Sequence, residues 1–254
     1  MRVLVTYAVE AEFAPWRKLR DLRRRELGGR PAFEAEIGRA RVDFVVTGMG
    51  PGNALKGAEA AMSEPHDICI ASGFAGSLQA EHRVGDVLAA QAVQQIGKRE
   101  TIECARNLFR AACSNQAVAA RMFLTSDHLI TKAAEKEQLA PFGDAVDMES
   151  FATLSMAKRK RLAAVAIRVI SDRFDEDMPA DIDTTVDANG RVLVRGVAKH
   201  LARHPLQLPA LIRLGRQTRT AAEALAHYLE AFLKELSFRS HGWPPQELRE
   251  VASQ

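Results

Sequence analysis

The chain is punctuated by short apolar, β-branched runs that stop abruptly on glycine or on a carboxylate, with helical periodicity in the intervals. Residues 3–8 give way to Glu10 and Glu12, and residues 42–46 to Thr47-Gly48-Met49-Gly50-Pro51-Gly52. Residues 68–71 run into Ser72-Gly73-Phe74-Ala75-Gly76, and residues 121–124 into Thr125-Ser126-Asp127. Residues 145–148 lead into Glu149, and residues 163–170, the longest apolar run, end at Ser171-Asp172. Further strands are expected over 33–37, joined to 42–46 through Gly38, and over 87–93 after Gly85-Asp86. Helices are expected over 10–25, where Phe13, Trp16 and Leu19 share a face before Gly28-Gly29, over the alanine-rich 53–62, and over 149–159. Strands that alternate with helices and read as continuous apolar runs predict a mixed, mostly parallel sheet covered on both faces. The expected architecture is a single-domain three-layer α/β/α sandwich.

The last third has a different texture. From Ala188 to Ala222 there is no acidic residue, while Arg191, Arg195, Lys199, Arg203, Arg213, Arg216 and Arg219 all fall inside, with breaks at Pro205 and Pro209. A helix over 220–236 follows, with Leu225, Tyr228, Leu229 and Phe232 on one face. The expected organisation is an α/β core over residues 1–187 and a helical, basic extension over 188–254 packed on it. One reading of the extension is a helical cap or oligomer surface. Another is weak contact of the 188–222 segment with an anionic membrane surface, because Leu206, Leu208, Leu211, Ile212 and Leu214 stand among arginines.

Composition narrows the class. Lys+Arg number 35 against 32 Asp+Glu, a net charge of +3 over 254 residues, and hydrophobic residues make up 47%. That balance excludes wholesale disorder. No apolar run approaches the roughly 18 residues of a membrane span, and the N-terminus lacks the apolar stretch and cleavage site of a signal peptide. Cys69, Cys104 and Cys113 form neither a paired framework nor a Cys-x-x-Cys pattern, which points to a reducing cytoplasm. At 6% aromatic residues, without aromatic–basic interleaving, nucleic acid is not an expected partner.

Ligands of open α/β sheets sit outside the carboxyl ends of the strands, so the residues that follow each strand matter most. Taken singly, each has an ordinary reading. Glu12 suits a solvated helix face, Glu149 a first-turn helix acid, Asp172 an N-cap, and Gly48–Gly52 a tight turn. The glycine spacing departs from the dinucleotide fingerprint, and there is no Walker loop, no Ser-His-Asp order and no metal cluster, so neither a metal nor a cofactor is expected.

The order and spacing are more specific. Val-Glu10-Ala-Glu12, Thr47-Gly48-Met49-Gly50, Ser72-Gly73-Phe74-Ala75-Gly76, Ser126-Asp127-His128-Leu129-Ile130, Val146-Asp147-Met148-Glu149 and Arg168-Val169-Ile170-Ser171-Asp172 occur in succession. Over residues 1–172 the chain resembles the nucleoside phosphorylase/nucleosidase superfamily, most closely the methylthioadenosine/S-adenosylhomocysteine nucleosidases. The resemblance implies cleavage of the N-glycosidic bond of a purine (adenine) nucleoside through a ribosyl oxocarbenium-like transition state. It makes Asp172 the general acid at purine N7, oriented by Ser171, and Glu12 the acceptor of a proton from the attacking water, helped by Arg168. Glu149 would bridge the ribose hydroxyls, with Met148 packed under the sugar. Leu129 and Ile130 would lie against adenine, Val9 and Met49 would line the 5′-substituent pocket, and Ser72 and Phe74 belong to the second glycine-rich loop. A homodimer is implied as well.

Phosphorylases of the superfamily carry a phosphate-holding arginine shortly before that loop. Here the approach is Ile68-Cys69-Ile70-Ala71, and Glu12 would repel phosphate, so hydrolysis is expected over phosphorolysis. Phe74 and Ser77 depart from the smaller residues usual in the loop. The long basic tail is similar to that of phosphorylase-like proteins associated with hopanoid synthesis, which remove adenine from an adenosyl lipid. A purine nucleoside phosphorylase and a non-catalytic nucleoside binder are the remaining alternatives.

Overall fold

The computed structural model describes residues 1–179 and 208–239. In chain order the elements are β1 (Arg2–Tyr7), α1 (Glu10–Phe13), α2 (Trp16–Leu19), β2 (Arg23–Leu27), β3 (Arg30–Ile37), β4 (Ala40–Val46) and α3 (Pro51–Ala61). Then come β5 (Ile68–Ser77), β6 (Val87–Gln95), β7 (Thr101–Glu103), α4 (Arg106–Ser114), β8 (Val118–Thr125), α5 (Ala133–Leu139), β9 (Ala145–Asp147), α6 (Ser150–Arg159), β10 (Ala163–Asp172) and α7 (Leu208–Arg239). The architecture is the expected mixed α/β fold, with helices packed on a central sheet.

Parallel pairing joins β4, β1, β5 and β10, and again β6, β8 and β9. Antiparallel pairing adds β3 and β2 at one edge and β7 beside β6. It also links β10 to β6 and β9 to β5, so β5, β10, β6, β8 and β9 close into a ring. The carboxyl ends of β1, β5, β9 and β10 thereby converge. Helices α3 and α6 pack on each other, and α7 packs on β10 and α1. The core includes an aromatic cluster of Tyr7, Phe13, Trp16 and Phe44, in which Trp16 Nε1 donates to the Tyr7 hydroxyl at 2.7 Å. Leu225, Leu229, Phe232 and Leu233 of α7 are fully buried in the same core. At about 1.5–3 kcal/mol per buried large side chain, they bind α7 to the sheet. No described helix is long and apolar enough to cross a membrane.

Several elements differ from expectation. The helix over 10–25 is two short turns, α1 and α2, interrupted at Pro15, and residues 23–27 form edge strand β2. The reason is electrostatic: from β2, Arg25 reaches Glu34 at 3.1 Å, Asp43 at 3.0 Å and Glu64 at 2.6 Å. A charged edge also resists pairing with other chains. Gly28-Gly29, both at positive φ, turn the hairpin instead of ending a helix. The expected turn at Ser72–Gly76 is continuous strand, paired with β10 from Ile68 to Gly76. The C-terminal helix starts at Leu208, not near 220, with Pro209 in its first turn, where no intrahelical N–H bond is lost. The boundary at 187/188, and the basic segment up to residue 207, lie outside the described residues.

Candidate active site

A cavity of about 930 Å³ opens where β1, β5, β9 and β10 end. Its wall includes Val9, Glu12, Met49, Phe74, Leu129, Ile130, Met148, Glu149, Ser171 and Asp172, residues the sequence singled out from six separate segments. Ser72 and Arg168 are not part of the wall. Both are buried, Ser72 in β5 and Arg168 behind the carboxylates.

Glu12 is the third residue of α1, and its carboxylate bends back to cap that helix's own entrance. Oε2 accepts from the backbone N–H of Ala8 at 2.7 Å and of Val9 at 3.0 Å, and Oε1 from Phe74 N–H at 2.8 Å. Glu149 stands at the N-cap position of α6 without a side-chain capping bond to it, and its Oε1 accepts from Gly50 N–H at 2.8 Å. Gly50 sits at φ +89, a left-handed conformation that glycine adopts without strain, and so the β4–α3 turn meets the β9–α6 turn. Arg168 lies between the acids. Its Nε is 2.9 Å from Asp147 Oδ2 and 3.1 Å from Ser150 Oγ, and its Nη1 is 3.4 Å from Glu149 Oε2. Gly73, at φ +141, leaves the space both need, since a Cβ there would collide with the Arg168 guanidinium and the Glu12 carboxylate. Burial raises the Glu12 carboxyl above its ordinary range against the pull of Arg168 and three N–H donors. Burial likewise pushes Glu149 up to about 7, with Arg168 opposing and Asp147 and Glu12 adding to the rise.

Asp172 ends β10 and is also buried. Ser171 Oγ donates to its Oδ1 at 2.9 Å. Gly76 faces it, and a Cβ at that position would stand 2.9 Å from Oδ2. Oδ2 itself pairs closely with the ammonium of Lys136, a fully buried lysine of α5.

The family model described as the phosphorylase superfamily matches residues 2–203. The chain belongs to that superfamily. No curated protein matches it in sequence. Among solved structures, a 5′-methylthioadenosine/S-adenosylhomocysteine nucleosidase of Campylobacter jejuni is similar at a TM-score of 0.70 and 16% identity, over 92% of this chain and 99% of that one. The corresponding nucleosidase of Neisseria meningitidis is similar at 0.70 and 21%, over the same shares. Futalosine hydrolase of Helicobacter pylori is similar at 0.70 and 17%, over 92% and 98%. At these identities the likeness is one of fold.

Beyond the strand ends, the cavity of this superfamily member continues between helices. Ala11, Ala14, Pro15 and Leu19 form one side and Leu211, Leu214, Gly215 and Ala222 of α7 the other, with Lys18, Arg219, Glu223 and His227 also in the lining. Sequence reasoning missed this arm. It also missed Lys136 and Asp147. Asp147 stood inside a quoted motif without a role, yet its Oδ1 accepts from Thr125 Oγ1 at 2.8 Å and from the N–H groups of Glu149 and Ser150 at 3.2 Å each, fixing the entrance of α6. The signal was its place two residues before Glu149. For Lys136 there was none: within Glu135-Lys-Glu137 it reads as a solvated helix lysine.

Proposed function

We propose that the protein hydrolyses the N-glycosidic bond of an adenine nucleoside, with water as the nucleophile. The observation that carries this reading is the gathering of Glu12, Glu149 and Asp172, all buried, around one cavity. As the bond from sugar to base breaks, the ribosyl group becomes cationic and the purine gains electrons. Glu149 holds the ribose hydroxyls above Met148 and sets negative charge near the sugar. Glu12, with a raised proton affinity, takes a proton from the attacking water. Asp172 delivers a proton to purine N7, and Leu129 and Ile130 flank the base. A phosphate nucleophile is disfavoured because Arg168 is engaged by Asp147, Ser150 and Glu149, and because Glu12 stands on the cavity wall.

A second reading concerns the 5′-group. The helical arm favours a long apolar substituent, as in an adenosyl lipid, over the small one of methylthioadenosine, because a compact thio-nucleoside leaves the Leu211–Leu214 side empty. The test is incubation with adenosine, inosine, methylthioadenosine, S-adenosylhomocysteine and a 5′-alkyl adenosine, with and without phosphate, followed by identification of the sugar. Free adenine and a free ribosyl sugar are expected. Ribose 1-phosphate formed only when phosphate is present would overturn hydrolysis. Methylthioadenosine cleaved as efficiently as the alkyl nucleoside would overturn the second reading.

A further inference from the structure

In the free protein both side-chain oxygens of Asp172 accept hydrogen bonds. Its Oδ1 accepts from Ser171 and its Oδ2 from the Lys136 ammonium. A carboxylate served by two donors is an acceptor, and purine N7 is an acceptor too. The two repel unless a proton arrives between them. Lys136 is the one buried ammonium in contact with Asp172 among the described residues, and its setting is unusual for a lysine: no part of it is exposed. Its other N–H groups go to the backbone carbonyls of Arg173 at 2.5 Å and Glu176 at 3.4 Å, on the loop that follows β10. This set of partners suits both charge states. As an ammonium it donates to Asp172 and the two carbonyls. As a neutral amine it keeps the carbonyls and accepts from an Asp172 hydroxyl.

We propose that Lys136 is the positioning residue that supplies Asp172 with the proton delivered to the purine, the pair Lys136–Asp172 acting as one donor. This rests on the reaction proposed above. In the step, the C1′–N9 bond breaks and its electron pair passes to the base. An N–H bond of the Lys136 ammonium breaks as an O–H bond forms on Asp172, and Asp172 releases one proton to N7. The attacking water forms the C1′–O bond and loses its proton to Glu12. Glu12 ends protonated and Lys136 neutral, and exchange with solvent restores both, so the sum is hydrolysis. Among the described residues, Asp175 and Asp177 also feel the charge of Lys136. Both are engaged elsewhere, Asp175 by Arg173 at 3.0 Å and Asp177 by Lys132 at 3.1 Å. On α5 itself, Glu135 turns to His128 at 3.1 Å.

The experiment compares the full-length wild type with Lys136→Met from pH 5 to pH 9 on whichever adenine nucleoside the wild type cleaves. Without the lysine, the proton has to reach Asp172 from solvent, whose supply of protons falls tenfold with each unit of rising pH. The variant's kcat should lie within about tenfold of wild type at pH 5 and fall about 10²–10³-fold below it at pH 8, the range for loss of a general acid. A lysine that only ties down the loop would lower kcat by the same factor at both pH values, and that result overturns the proposal, as does a wild-type profile in the variant. Should Lys136→Met fold poorly, Asp172→Asn and Asp172→Asn/Lys136→Met, which leave no unpaired buried carboxylate, are compared instead. Groups acting as a unit are not additive, so the two should agree within about threefold, and a further drop of tenfold or more overturns the role. Failure of the wild type to release a base from any nucleoside would overturn the reaction itself, which the wild-type arm reads separately.

Discussion

The two ends of the cavity are built on different principles. At one end, the three carboxylates are held by backbone or by buried partners: three N–H groups on Glu12, Gly50 and Arg168 on Glu149, Ser171 and Lys136 on Asp172. These residues ride on strand ends or on the first turns of helices pinned to them, so their separations are set by sheet register. At the other end the wall is largely apolar side chain on two short helical turns and one long helix, with Lys18, Arg219, Glu223 and His227 among it. Groups on strand ends are held precisely, whereas the volume of an apolar slot between helices is set by its individual side chains. On the function proposed above, the reaction belongs to the first end and substrate choice to the second.

If that division holds, the largest loss of activity comes from the polar end. Asp172→Asn keeps shape while removing the proton carrier, and kcat should fall by about two to four orders of magnitude, as expected for a general acid, with KM little changed. Steady-state kinetics on adenosine or its 5′-alkyl analogue checks this, and turnover near wild type would move the proton donor elsewhere. Next comes pH. Glu149, pushed up to about 7 by burial, is largely neutral below that pH in the free protein, and in the proposed reaction the carboxylate is the form that would accept from both ribose hydroxyls. The value of kcat/KM should therefore rise about tenfold per pH unit below 7 and level off above it, a limb that Glu149→Gln abolishes. The sign for stability is opposite. A carboxyl whose folded proton affinity is raised favours the fold at low pH, and that contribution is lost as pH rises through about 7. A limb centred near the ordinary glutamate range would remove Glu149 from this role.

The same contrast explains what could be read in the sequence. Strands β1, β5 and β10, and the carboxylates that follow β1, β9 and β10, were legible because an apolar run ending on a charge is a local pattern. The failures are long-range. Residues 23–27 carry helical-looking periodicity, but Arg25 is claimed by Glu34, Asp43 and Glu64, partners 9 to 39 positions away. Gly73 and Gly76 read as turn residues, yet they are strand residues whose missing side chains make room for Glu12, Arg168 and Asp172. Lys136 was hidden because its burial depends on α5 meeting the loop after β10, 36 positions from the lysine to Asp172. The apolar arm was hidden for the same reason, since α1, α2 and α7 come together only in the folded chain.

A substitution in the arm should act on binding and leave chemistry alone. Leu214 faces the cavity from α7, so Leu214→Glu places a charge where an apolar 5′-group would lie. For a 5′-alkyl adenosine, KM should rise about 10–100-fold, the loss of one or two well-buried apolar contacts. For adenosine, which does not reach the arm, kcat and KM should stay within about threefold. Equal effects on both would mean that α7 supports the polar end and that the division between the two ends is false.

The smallest effect expected is at the outer surface of α7. Leu208 and Ile212 are exposed, at 46% and 47%, beside Arg213, Arg216 and Arg219. A basic residue near an anionic surface contributes about 1 kcal/mol, which salt attenuates over a Debye length of about 10 Å at 0.1 M. Two of the three arginines already have acidic partners, Arg213 with Glu176 at 2.6 Å and Arg219 with Glu223 at 2.9 Å, so much of that attraction is spent within the protein. Binding to vesicles rich in anionic lipid should consequently be weak, lost between low and high salt, and lowered a few-fold by Ile212→Ser. Co-sedimentation measures it. Salt-insensitive binding would show that apolar insertion and not charge holds the protein there. No binding at low salt, with the 5′-alkyl nucleoside still preferred over methylthioadenosine, would mean that a lipid-like substrate reaches the arm without docking of α7 on the membrane.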